Sequence, residues 1–73
     1  MLRDMTDREA LDFLVAKMGN MTAAAGALDV SAQRFNNWYD RGISAAKRPA
    51  VWAMVNDHGG HLSREWLLNV EAA

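Results

Sequence analysis

Apolar residues recur along this chain at helical rather than strand spacing. Leu11, Leu14, Val15 and Met18 stand at i, i+3, i+4 and i+7, which is one stripe of a 3.6-residue helix. Thr6 precedes the stripe and Glu9 follows three residues on, a capping box in which hydroxyl and carboxylate each take up a free amide. Gly19 supplies a residue that tolerates the left-handed turn ending such a helix. The spacing predicts a first helix from Thr6 to about Met18.

Asn20 caps a predicted second helix, Met21 to Leu28, whose Ala23, Ala24, Ala25 and Ala27 let another helix approach closely. After a turn at Asp29 and Val30, Ser31 caps a third helix that carries Phe35 and Trp38 on one side and stops at Gly42. Ser44 is expected to cap a fourth helix reaching Asp57, with Pro49 in its first turns and Val51, Trp52, Met54 and Val55 on its buried side. Gly59 and Gly60 break the chain. Ser63 then caps a last helix with Trp66, Leu67 and Val70 on its apolar surface. The expected fold is all-α, a compact bundle of four to five short helices in one domain spanning residues 1–73.

The spacing from Met21 to Trp38 carries more than a fold. Two short helices that cross steeply need a small side chain where they nearly touch (Ala25), apolar anchors beneath (Leu28, Val30, Phe35, Trp38) and a connecting residue with positive φ. The segment MTAAAGALDVSAQRFNNWYDRG resembles the helix-turn-helix of Cro-like and repressor-type phage regulators, a likeness covering roughly a third of the chain. It departs from that pattern at the turn, where Asp29 stands in place of the usual glycine. Aspartate tolerates the left-handed region at a cost on the order of 1 kcal/mol.

The resemblance implies a lambda-repressor-like fold with the recognition helix at about Ser31 to Arg41, within a helix-turn-helix of about 20–41. At 100° per residue, Gln33, Asn36 and Asn37 share the face opposite Phe35 and Trp38. Their amides can donate to and accept from the major-groove edge of adenine, and Arg34 beside them can choose guanine or phosphate. Ser31 lies at the positive end of that helix. Lys17, Arg41, Lys47 and Arg48 are candidates for phosphate contacts, Tyr39 offers a hydroxyl, and the resemblance implies the same role for Asn20 and Thr22.

The chain has 73 residues with a net charge of −1, which changes the picture only when charge is followed by segment. Residues 17–48 hold five cations against two carboxylates, a balance of +3, and each flank comes to −2. No cysteine is present, so a disulfide framework or thiolate zinc site is excluded and a cytoplasmic setting fits. There is no membrane-length apolar run or signal-peptide core. His58 and His61 bracket the glycine pair without a third ligand at a recognised spacing, and no nucleophile stands beside a base. Neither a metal, a cofactor, a small-molecule ligand nor an enzymatic activity is expected.

The function expected from these features is transcriptional control by sequence-specific binding of a double-stranded DNA operator. A homodimer would place two reading helices on half-sites about 34 Å apart, and the apolar run Trp66 to Val70 is a candidate surface for it. The alternative is a protein-interaction module, such as an antitoxin-like or adaptor bundle. The two differ in salt response, since four cations on phosphates give a slope of roughly −3.6 in log K against log salt.

Overall fold

The computed structural model describes residues 5–68. Five α-helices follow one another: α1 (Asp7–Met18), α2 (Met21–Ala27), α3 (Ala32–Arg41), α4 (Arg48–Asp57) and α5 (Arg64–Leu68), with a single 3-10 turn at Ala45–Lys47 ahead of α4. The chain is an all-α bundle, with no strand among the described residues. Among the described residues, no helix is long and apolar enough to cross a membrane.

Helix starts follow local chemistry. The Thr6 hydroxyl accepts from the Glu9 amide at 3.1 Å, and the Glu9 carboxylate accepts from the Thr6 amide at 2.8 Å, completing the capping box. Asn20 accepts from the Ala23 amide at 2.7 Å, Ser31 from the Arg34 amide at 3.0 Å, and Ser63 from the Trp66 amide at 3.3 Å. The helix stops at Gly19 and Gly42 both use positive φ, 106° and 90°. Helix α2 ends one residue earlier than expected, with Leu28 as its C-cap.

The region after α3 departs from expectation. Ser44 heads the 3-10 turn and makes no side-chain cap, and α4 begins only at Arg48. The amides of Lys47 and Arg48 both reach the Ser44 carbonyl, at 3.0 and 3.1 Å. Pro49 has no amide to give to Ala45, so an α-helical ladder running from Ser44 would be interrupted at that point. The proline marks the real start of α4 instead of lying inside it.

Helix α1 lies against α2, α3 and α4, and α5 packs on α4. Leu11 and Leu14 of α1, Phe35 of α3, and Val51 and Val55 of α4 are the largest fully buried side chains. Each contributes on the order of 1.5–3 kcal/mol by leaving water. Of the expected apolar stripes, Val15, Met18, Trp52 and Met54 are only partly buried and pack around this centre. Ala10, Ile43 and Leu62 complete the core without having stood out in the sequence. Val70, expected on the apolar surface of the last helix, lies outside the described residues.

The α4–α5 connection is held by two side chains of α4, Asn56 and Trp52. Asn56 accepts from the Leu62 amide at 3.1 Å and donates to the Leu62 carbonyl at 3.2 Å, while Trp52 donates its indole N–H to the Ser63 carbonyl at 3.0 Å. Gly60 has to be glycine for close approach: a Cβ there would sit 2.6 Å from Val55 Cγ1 and 3.0 Å from the Phe13 ring.

Candidate nucleic-acid interface

The turn joining α2 to α3 is set by Asp29, which adopts φ of 60° and is the one non-glycine residue with positive φ among those described. Its own amide and the next close onto α2: Asp29 donates to the Gly26 carbonyl at 3.0 Å and Val30 to the Ala25 carbonyl at 3.0 Å. Ala25 is 1% exposed and Ala24 fully buried, so α2 meets its neighbours with almost no side chain between the backbones. Helix, tight turn and helix therefore form a single rigid corner.

The outward direction of α3 is fixed by what it buries. Phe35 and Trp38 point into the core with ring centroids 5.8 Å apart, and Tyr39 stands edge-on to Phe35 at 6.1 Å. Arg8 of α1 donates its Nε–H to the Tyr39 carbonyl at 2.8 Å, satisfying one of the four carbonyls that the end of a helix leaves open. This tie spans 31 residues, and nothing in the local sequence around either partner announces it.

With that side anchored, Gln33, Arg34, Asn36, Asn37, Asp40 and Arg41 are all exposed. The three amides Gln33, Asn36 and Asn37 share one strip, as their spacing dictates. Asp40 continues the strip toward the C-terminal end, and the two arginines lie along its flank. Arg34, Asn37 and Arg41 also line a cleft of about 370 Å³ whose remaining walls are Trp38, Gly42 and Ser44. Ser44, read from the sequence only as a cap, belongs to this surface.

At the other side of the corner, Ser31, Asn20 and Thr22 are exposed. The Ser31 and Asn20 oxygens are occupied by their own helix caps, which leaves the hydroxyl proton of Ser31 and the amide N–H group of Asn20 to face outward partners. Lys17 is exposed, its ammonium 5.4 Å from the Phe13 ring centroid. Lys47 is half-buried at the end of the 3-10 turn.

Two expected phosphate ligands are corrected. Arg48 is 7% exposed: Nη1 donates to Asp7 Oδ2 at 3.1 Å, Nη2 donates to the Trp66 carbonyl at 3.0 Å, and the guanidinium lies 3.9 Å from the Trp66 ring centroid. A charge so enclosed is structural. Tyr39 donates its hydroxyl to Asp12 Oδ1 at 3.0 Å, so its proton is already engaged and a carboxylate lies beside it that would repel a phosphate. Burial, then that hydrogen bond and the Asp12 charge, push the phenol up to about 12.

The proposed dimer surface also needs correction at one residue. Trp66 is 6% exposed, covered within its own protomer by Arg48, whereas Leu67 is half-buried and Leu68 is 67% exposed. Compared with protein-family models, curated proteins and solved structures, the chain matches none.

Proposed function

We propose that this chain is a sequence-specific DNA-binding regulator of transcription, of the Cro-like repressor type, that inserts α3 into the major groove. The observation that carries the reading is the exposed strip Gln33, Asn36 and Asn37 on a helix whose opposite side is pinned by Phe35, Trp38 and the Arg8 tie. Amides presented on a rigid helix can pair bidentately with adenine, each good pair discriminating by about 1–3 kcal/mol. A flexible presentation would lose much of that discrimination to the entropy of ordering.

Phosphate contacts in this reading come from Arg41, Lys17 and Lys47, with Ser31, Asn20 and Thr22 at the starts of α3 and α2. Arg48 and the Tyr39 hydroxyl drop out. Two protomers on half-sites about 34 Å apart would supply the affinity that a single short reading helix lacks. Selection from pooled random duplexes tests the proposal. It should enrich a two-fold symmetric site with adenine-bearing half-sites, and recovery of unenriched sequence would count against it.

A protein-interaction module draws on a different observation, the exposed Leu68 beside half-buried Leu67, together with a net charge of −1. An apolar interface of that kind would scarcely respond to salt, whereas binding to phosphates weakens steeply as salt rises.

A further inference from the structure

We propose that the cleft between α3 and the Gly42–Ser44 segment seats a phosphodiester of the duplex backbone, with Arg34 and Arg41 as its ligands. The inference rests on the DNA-binding reading above and assigns Arg34 to the backbone instead of to guanine.

Arg34 and Arg41 are seven residues apart, just under two helical turns, so they fall about 20° from one another around the helix. Both line the same cleft of about 370 Å³. Their situation differs from that of the other cations near α3. Arg8 is committed to the Tyr39 carbonyl, and Arg48 to Asp7 and Trp66. Among the described residues neither Arg34 nor Arg41 has an ion pair, and no carboxylate lines the cleft.

The rest of the lining is equally suited to an anion. Ser44 lines the same cleft, and its hydroxyl makes no cap bond and so keeps its proton to donate. Its segment is tied at two points, the Ile43 amide donating to Asp7 Oδ2 at 2.9 Å and the Gly42 amide to the Trp38 carbonyl at 2.8 Å. Trp38, 4% exposed, supplies an apolar part of the lining. Two planar forks and a hydroxyl around a small cleft match the several oxygens of a phosphate.

Position selects the backbone as the source of that phosphate. Asn37 belongs both to the cleft and to the amide strip, so the cleft borders the surface proposed to meet base edges, where backbone contacts would position the reading helix. A phosphate ligand and a base reader also behave differently. Loss of a phosphate contact weakens all sequences alike and flattens the salt slope, while loss of a base contact relaxes preference at one position.

The test measures duplex affinity of the full chain and of Arg34→Gln and Arg41→Gln across a salt series, on pooled random duplexes and on a selected site. Each variant should flatten the slope of log K against log salt by about 0.9 and lose affinity by the same factor on both duplexes. Loss confined to the selected site for Arg34→Gln, or unchanged slopes with duplex binding intact, overturns the cleft assignment while leaving the DNA reading standing. If the unsubstituted chain binds no duplex, the reading and the phosphodiester assignment fail together. Titration with inorganic phosphate, followed at the arginine Nε–H signals, then separates a site for small phosphate compounds from no anion site.

Discussion

Arg48 and Asp7, 41 residues apart in sequence, meet at 3.1 Å between Nη1 and Oδ2, with the arginine side chain 8% and the aspartate 26% exposed. Asp7 also accepts the Ile43 amide, and Arg48 also holds the Trp66 carbonyl and ring. One ion pair thus fastens the first turn of α1, the segment after α3, the start of α4 and the helix α5. Removing one partner leaves the other charge in a poorly hydrated place.

Arg48→Met and Asp7→Ala should each destabilise the fold by about 2–3 kcal/mol, below the ~3–5 of a fully buried pair because Asp7 keeps contact with water. The double variant should cost little more than either single one, as expected for residues acting as a unit. Urea denaturation measures all three, and an Arg48→Met midpoint equal to that of the unsubstituted chain would show that the contact contributes nothing.

The left-handed turn at Asp29 carries strain that glycine would relieve. Asp29→Gly should stabilise by about 0.5–1 kcal/mol, the steric relief exceeding the extra freedom given to the unfolded chain. Asp29→Val should destabilise, since a β-branched residue at φ of 60° is strained further. Thermal melts of the two variants should move in opposite directions. A shift of both in the same direction would contradict this account of the turn.

Tyr39 is the single tyrosine of the chain, so its ionisation can be followed without interference from another phenol. In the folded chain it is pushed up to about 12, against the ordinary value of 10.0 in the unfolded chain. Between those two pH values the unfolded chain releases the proton while the folded chain keeps it, so stability falls as pH rises through that window and is unaffected by this group below it. Phenolate absorbance should show the late midpoint, and Asp12→Asn should lower it only part of the way toward 10 because burial is the larger cause. A native midpoint at 10 would mean that the hydroxyl faces water.

Much of the fold was legible because its signals are local. Thr6 with Glu9, Asn20, Ser31 and Ser63 each sit within three residues of the amide they cap, and the need for positive φ at Asp29 follows from the short turn between two helices. What was not legible depends on distant partners. Arg48 resembles any surface cation until Asp7 and Trp66 are brought around it, Tyr39 until Asp12 is, and Arg8 has no visible role before α1 crosses the end of α3. Ser44 heads a 3-10 turn instead of α4, whose start is marked by the proline five residues later. The exposure of Gln33, Asn36 and Asn37 followed from periodicity alone. The cleft on their flank did not, since two of its six lining residues, Gly42 and Ser44, come from the segment after the helix.

The central claim is that the amide strip of α3 reads bases. Its most direct test is a fluorescence-anisotropy titration of Asn37→Ala and Gln33→Ala against a selected duplex and a random duplex, at one salt concentration. Losses of about 1–3 kcal/mol on the selected duplex with little change on the random one are expected. Equal losses on both duplexes, or no loss on either, would contradict base reading by this helix.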